Sequence, residues 1–516
     1  MAQQALITVA IPAASTAPIT VSGLGHRPEV LIAFSAGLSA TADTFGQGSA
    51  TEMFGVAINA QTQYALQRSL VDGDPASSNT QAMISGALAA TSAGSLRIAA
   101  ITDDGFVLAF NAAFTTARLI HVLTLGPDLV TSKALFTTLS PAVSGAVNLT
   151  AAGFQPTGAL FFSNCSEGAS DDSSHSTISL GWAAGPSGSI VNYCAASHSR
   201  GNGASADSKR WAKSGYCYAE PSKAPNIDTV VERASVTNWL PTGVELTFDT
   251  VAAPGNNVIA ALALDGPGIR AGTFRVGDAG VSALPWTPRA GLFASHCKVG
   301  QTDLEADAKD SHCIGATALG DSALTQNCVK VTSIDGQVNN TIGRTTQFDS
   351  VYVRMSNATT KQGEAAIGAM RQTGFSLSLL EPSATTDLVG YLAFGEAPPA
   401  ITRDRSATVP VDTDSPDSPI ATFTKDPDSL LDYEIDWTNF LSDSDGNVID
   451  SLLSSTFIAP AGVTVRLNPP STFTSTNTRV WLEGGTEGSQ YDVVNRIQTA
   501  DGRVEDRFFR IRIKSR

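Results

Sequence analysis

The stretch Ala152-Gly-Phe-Gln-Pro-Thr-Gly-Ala-Leu-Phe-Phe-Ser163 decides how the rest of the chain is read. A Gly/Pro turn runs into a short apolar strand with no polar interruption, the pattern of a strand buried on both faces. The same pattern recurs at Ser22-Gly-Leu-Gly-His-Arg-Pro-Glu-Val-Leu-Ile-Ala-Phe-Ser35 and, weaker, at Leu284-Pro-Trp-Thr-Pro-Arg-Ala-Gly-Leu-Phe-Ala-Ser295. Measured from Pro28 to Pro156 to Pro288 the period is about 130 residues, too long for a solenoid unit and right for a domain.

Two further anchors keep the same order. A small-residue strand around glycine follows each turn: Met53-Phe-Gly-Val-Ala57, Ser179-Leu-Gly-Trp-Ala183 and Cys313-Ile-Gly-Ala316. Each copy then closes with a Gly-led alternating strand and an apolar run. These are Gly105-Phe-Val-Leu-Ala-Phe110 before residues 117–126, Gly243-Val-Glu-Leu-Thr-Phe248 before 257–266, and Gly374-Phe-Ser-Leu-Ser-Leu379 before 387–395. Period-2 alternation predicts strands. The best helix candidate, residues 52–70, carries Gly55 and coincides with the repeated glycine strand, so it too reads as β.

After the third copy, Pro398-Pro399 and a polar run mark a linker over 398–419. In the last hundred residues Tyr433, Ile435 and Trp437 alternate with acids, and Phe509, Ile511 and Ile513 alternate with bases. Ala500-Asp-Gly-Arg503 is a hairpin turn. The expected fold class is all-β: three tandem, related, jelly-roll-like β-sandwich modules over 1–130, 131–268 and 269–397, then an immunoglobulin-like sandwich over 420–516.

The C-terminal segment resembles the fibre–tail adaptor domain of tailed phages. The residues that carry this are Phe423-Thr-Lys-Asp-Pro-Asp-Ser-Leu-Leu-Asp-Tyr-Glu-Ile-Asp-Trp437, Ser455-Thr-Phe-Ile-Ala-Pro-Ala-Gly-Val-Thr464, Thr478-Arg-Val-Trp-Leu-Glu-Gly-Gly-Thr-Glu-Gly488 and Tyr491-Asp-Val-Val-Asn-Arg-Ile-Gln-Thr-Ala-Asp-Gly-Arg503. It departs at an expanded loop, Ser442-Asp-Ser-Asp-Gly-Asn447, and at Pro469-Pro470. The three modules are similar to a repeat of phage virion proteins: a Gly-Phe-x-Pro turn, a small-residue strand and a closing Gly-Phe-x-Leu. Together these resemblances imply a structural virion part, assembled in the host bacterial cytoplasm, with other virion proteins as partners and a homo-oligomer, as in trimeric fibres.

Composition bounds the alternatives. The net charge of −15 repels nucleic acid. No run of about 18 apolar residues predicts a membrane helix, and the N-terminus, broken by Pro12, reads as a strand and not a signal peptide. The six cysteines contain no CxxC pair and read as free, buried thiols; Cys165 and Cys297 both lie nine residues after their anchor proline.

Catalytic motifs are lacking: there is no P-loop, G-x-S-x-G or H-E-x-x-H, and acids are plentiful without a spacing that selects a pair. The sequence thus reads as non-enzymatic, with no cofactor and no metal. Gly201-Asn-Gly-Ala-Ser-Ala is an incomplete nucleotide fingerprint in a polar loop. Residues 443–450 fail as an EF-hand because Leu441 and Leu452 occupy its end positions. His296-Cys297 and His312-Cys313 offer at most two converging zinc ligands, since strand neighbours point to opposite faces.

Two surfaces stand out. Residues 197–220 read as an insertion with clustered basic and aromatic residues: Arg200, Lys209, Arg210, Trp211, Tyr216 and Tyr218 form a candidate contact for an acidic partner or a host glycan. Arg510, Arg512 and Lys514 share one face of the last strand, a candidate docking strand or a charged sheet edge.

Overall fold

The computed structural model describes residues 3–39, 44–47, 50–70, 80–91, 94–166, 170–171, 175–200, 208–223, 229–251, 255–282, 284–297, 309–320, 323–334, 342–355, 360–371, 373–382, 386–395, 405–409, 418–443, 448–466 and 471–515. Two compact units divide at Pro399 and Ala400. Nearly every described element is a strand; one short helix, Thr438–Leu441, interrupts them.

In the first copy the large sheet runs, neighbour to neighbour, Gln4–Ile11, Arg118–Leu125, Val30–Ser35, Ala50–Ala57, Gln63–Leu70, Thr80–Ser85. Its small sheet runs Ile19–Ser22, Gly105–Ala112, Ser95–Thr102, Ala89–Ala90. The second copy repeats this order with Ser132–Leu139, Val258–Asp265, Gly158–Ser163, His175–Ala184, Val191–Arg200, Lys209–Ser214 and Gly145–Leu149, Gly243–Thr250, Val230–Leu240, Tyr218–Pro221. The third does so with Ile269–Arg275, Leu388–Gly395, Pro288–Ser295, Lys309–Leu319, Leu324–Ile334, Gly343–Phe348 and Gly280–Val281, Gly374–Glu381, Lys361–Arg371, Tyr352–Met355. First and last strands pair in one sheet, second and second-to-last in the other, which is the jelly-roll element of the topology. Residues 52–70 fall on two strands, Ala50–Ala57 and Gln63–Leu70, as the coincidence of Gly55 with the repeated glycine strand predicts.

The repeated glycines have one steric cause. A Cβ on Gly55, Gly181 or Gly315 would lie 1.8, 2.3 or 2.1 Å from the carbonyl oxygen of Leu88, Cys217 or Val351, in the chain entering the small sheet. A Cβ on Gly105 or Gly243 would meet the carbonyl of Val21 or Leu149 at 2.0 or 1.8 Å. Backbone crosses backbone at both places, and only glycine leaves room.

Closing strands such as Arg118–Leu125 are buried at every residue because each large sheet has two covered faces. One faces its own small sheet: Leu31, Ala33, Met53, Ile120 and Val122 pack with Phe106 and Leu108. The other faces the remaining copies. Phe34, Phe54 and Leu66, Leu160, Phe162 and Trp182, and Leu292, Ile314 and Val329 form a single core shared by all three; Phe54 and Phe162 meet edge to face at 5.3 Å.

The copies also exchange strands. Ser170–Asp171 of the second copy pairs with Thr80–Ser85 of the first, and Thr44–Gln47 of the first pairs with Gly343–Phe348 of the third. A linear array would pass each strand only to an adjacent copy. A handover from first to third requires that the row of copies close on itself, as head-to-tail contacts do when the rotation closes.

In the C-terminal unit one sheet runs Ser406–Thr408, Leu431–Asp436, Asn477–Gly484, Val463–Val465, and the facing sheet runs Thr422–Lys425, Val504–Ile513, Gln490–Thr499, Leu452–Ile458. Tyr433, Ile435, Trp437, Phe509, Ile511 and Ile513 are all buried between them, as their alternation predicts. The stretch read as linker contributes to this sandwich: Ser406–Thr408 pairs parallel to Leu431–Asp436, and Ala407 and Val409 are buried. Three residues are too few to show a period, so this strand carries no signature in the sequence.

Candidate functional site

Each copy ends the strand after its Gly/Pro turn with a serine. The hydroxyls of Ser35, Ser163 and Ser295 donate to the carbonyls of Leu119, Val258 and Leu388 at 2.5, 2.7 and 2.8 Å. They accept the N–H two residues on, from Gly37, Cys165 and Cys297, at 3.0, 2.8 and 3.0 Å. Those three residues are left-handed, with φ of 72°, 53° and 54°. The shared cysteine position is therefore a corner of the fold that the first copy makes with glycine. All six cysteines are free and buried.

The edge strand of one copy reaches the corner of the next. Arg210 donates to the carbonyls of His296 and Cys297 at 3.3 and 2.9 Å. Arg344, at the same register in the third copy, brings a guanidinium nitrogen to 3.7 Å from where a Cβ on Gly37 would stand. Gln81, the first-copy counterpart, accepts from the Thr177 N–H at 2.5 Å. These three clamps share a register but not a bond: Arg210 bonds the third copy's corner, Arg344 approaches the first copy's corner, and Gln81 bonds a strand of the second copy.

At the centre lies a polar node. Three residues before the repeated glycine stand Glu52, Ile178 and His312; opposite them stand Arg68, Ser197 and Val331. Arg68 Nε donates to Glu52 Oε2 at 2.6 Å and its Nη1 to Ser197 Oγ at 3.1 Å. His312 Nδ1 contacts Glu52 Oε1. His296 stacks on His312 with ring centroids 4.7 Å apart, and its Nδ1 meets the Ser311 carbonyl at 2.7 Å. All these side chains are buried, and every copy supplies at least one. Burial raises the Glu52 pKa, but the charges of Arg68 and His312 outweigh it and hold the carboxyl at about 2.

Burial moves two histidines the other way. It lowers His121 to about 3, and lowers His296 well below its ordinary value, with His312 adding to the effect. His121 is wedged against Phe34 and Phe348 and bonded to Thr8 Oγ1. A histidine whose folded pKa is depressed gives its full stability above its unfolded pKa, and that stability falls as pH drops below it. The loss therefore starts near the ordinary value of 6.5. At about 1.4 kcal/mol per pH unit, His121 alone removes about 2 kcal/mol as pH falls to about 5, and His296 adds to the loss in the same direction. Urea midpoints measured across that range should fall accordingly, and His121→Phe should reduce the slope; a flat profile refutes the assignment.

The candidate contact stretch is not an insertion. It forms Lys209–Ser214 and Tyr218–Pro221, strands with counterparts in every copy. Trp211 and Tyr218 are fully buried, and Lys209 is buried with its Nζ on the Ser222 carbonyl at 2.7 Å. Arg210 does make a contact, but within its own chain. Tyr216 is half-buried, with its hydroxyl on Asp249 at 2.9 Å and the Arg233 guanidinium 4.7 Å above its ring. Arg200 ends Val191–Arg200, and its side chain lies outside the described residues, as does the glycine-rich loop 201–206. Alternating basic and aromatic residues suggested a loop because the second buried face of the large sheet is not visible in sequence.

Arg510 and Arg512 lie on Val504–Ile513, and Lys514 follows directly. The strand is not an edge: it is paired on both sides, with Gln490–Thr499 and, in parallel, Thr422–Lys425. Arg510 forms a two-pronged pair with Asp492 at 2.7 and 2.8 Å, whereas Arg512 and Lys514 are exposed. Residues 444–447 of the candidate cation loop lie outside the described residues. Among the described residues no group of three His, Cys, Asp or Glu could hold a metal ion, and no helix is long and apolar enough to cross a membrane.

Comparison with known proteins bears on this C-terminal unit. Residues 425–512 match the family described as podophage GP4 fibre-tail adaptor protein gp77. No curated protein matches the chain. Among solved structures, the WD40 domain of SCAP from fission yeast aligns over 71% of this chain and 72% of its own at 9% identity, with a TM-score of 0.09, and carries no argument.

Proposed function

We propose that the chain is a non-enzymatic structural component of a tailed-phage particle. Its C-terminal domain would attach it to a tail or fibre protein, and residues 1–130, 131–268 and 269–397 would be three descendants of one duplicated module that form its body. The match of residues 425–512 to the fibre-tail adaptor family carries this reading. The exposed Arg512 and Lys514, in a chain of net charge −15, suit docking on an acidic neighbour.

The strand exchange and the three clamps support a further element of the proposal. The threefold arrangement that fibre proteins build from three chains is here made within one, and the contacts left for assembly are with other virion proteins. A host-glycan role finds less support, because Trp211 and Tyr218, the aromatics that would stack on sugars, are inside the fold. Imaging of particles that carry the protein tests the reading. Density for a three-lobed body attached at the tail is expected; density following the capsid lattice would overturn it.

A further inference from the structure

Lys330 is completely buried, and its Nζ lies 2.5 Å from the Cys297 sulfur. That is shorter than the roughly 2.7–3.2 Å of an ordinary N–H···O hydrogen bond, although sulfur is larger than oxygen. The fold does not require a lysine there. The register opposite Cys313 is occupied by Lys330, whereas the equivalent positions opposite Ser179 and Met53 hold Ala196 and Gln67. Burying an amine is unfavourable without a dedicated partner, and here thiols of the third copy's core surround it: Cys297 at 2.5 Å and Cys313 directly opposite on the neighbouring strand. The Cys297 thiol also meets the Tyr352 side chain and, weakly, the Val353 carbonyl at 3.7 Å.

We propose that Lys330 and Cys297 are a redox modification site, closing under oxidation to a covalent N–O–S bridge. The spacing is one that a single bridging oxygen spans. The step balances with dioxygen as oxidant: RNH2 + R′SH + O2 → RNH–O–SR′ + H2O. One N–H and the S–H bond break, N–O and O–S bonds form, nitrogen and sulfur lose two electrons each, and the second oxygen atom leaves as water with the two hydrogens. A thiol reductant reverses it. The bridge ties the corner of the strand Pro288–Ser295 to the interior of Leu324–Ile334, two strands that are not neighbours in the sheet. A particle protein leaving a reducing cytoplasm would gain a staple across the third copy.

The test uses the full chain, purified under reductant and then held in air-saturated buffer, with intact and peptide mass spectrometry. A species that has gained one oxygen and lost two hydrogens is expected, with Cys297 and Lys330 in one cross-linked peptide, reverting with dithiothreitol. Lys330→Ala and Cys297→Gly should both abolish it. Each borrows the residue another copy carries at that position, Ala196 and Gly37, so both are expected to fold. Oxygen gain without hydrogen loss marks a sulfenic acid and overturns the proposal. So does hydrogen loss alone, which marks a disulfide, or a bridged mass that persists in Lys330→Ala.

Discussion

Replacing Glu52 by alanine is expected to destabilise the three-copy unit by about 3–5 kcal/mol, the cost of removing one partner from a buried ion pair. The carboxylate answers two neighbours at once, Arg68 at 2.6 Å and the His312 ring. Without it the Arg68 guanidinium keeps its bond to Ser197 but remains in a site with no access to water. Because Arg68, Ser197 and His312 come from different copies, the loss falls on the seam where all three meet. Replacing the pair together should behave differently. The second copy has Ile178 where the first has Glu52, and the third has Val331 where the first has Arg68, and both pack at this radius. Glu52→Ile with Arg68→Val should recover most of the loss, because an apolar pair need not be desolvated as charges are. Urea unfolding at neutral pH of the three proteins decides it. A Glu52→Ala variant within about 1 kcal/mol of the parent would mean that the pair contributes no more than a surface salt bridge.

The node also shows where sequence reading stops. The apolar closing strands, the glycine anchors and the alternation around Trp437 and Phe509 were legible, because each reflects a local demand: burial on both faces, a backbone crossing, one face of a sandwich. The closure of three copies on one another was not. Its contacts join residues as distant as Glu52 and His312, and no local period encodes which face of a sheet will meet another sheet. Glu52 did carry a signal, a lone acid where the second copy has isoleucine, but it gains meaning only once the copies are aligned on their glycines. Arg210 misled for the same reason: a cation beside Trp211 reads as surface until a second sheet covers it. The cysteine repeat was visible and its cause was not, since a left-handed corner can be filled by glycine or cysteine and the residues name no φ.

Gly55→Ala should unfold the three-copy unit or lower its stability by about 3 kcal/mol or more, although it adds a single methyl group. The new Cβ would stand 1.8 Å from the Leu88 carbonyl oxygen, and 2.8 Å from the carbon behind it. Side chains escape such contacts by changing rotamer; a main-chain carbonyl cannot. Leu88 is held from the other side, its N–H bonded to the Leu96 carbonyl at 2.9 Å as the chain enters the small sheet. Relief would therefore require the two sheets of the first copy to separate, exposing Leu31, Met53 and Phe106. Gly86→Ala is the control. That residue is also glycine, with φ of 74°, but nothing lies within 4 Å of its Cβ position, so only backbone strain of about 1 kcal/mol is expected. Calorimetry separates the outcomes: Gly55→Ala should remove or strongly lower the transition of residues 1–399 and leave that of residues 400–516, which has its own core. Equal, small shifts for Gly55→Ala and Gly86→Ala would show that the repeated glycine answers to backbone conformation alone, and the account of why it recurs in all three copies would fail.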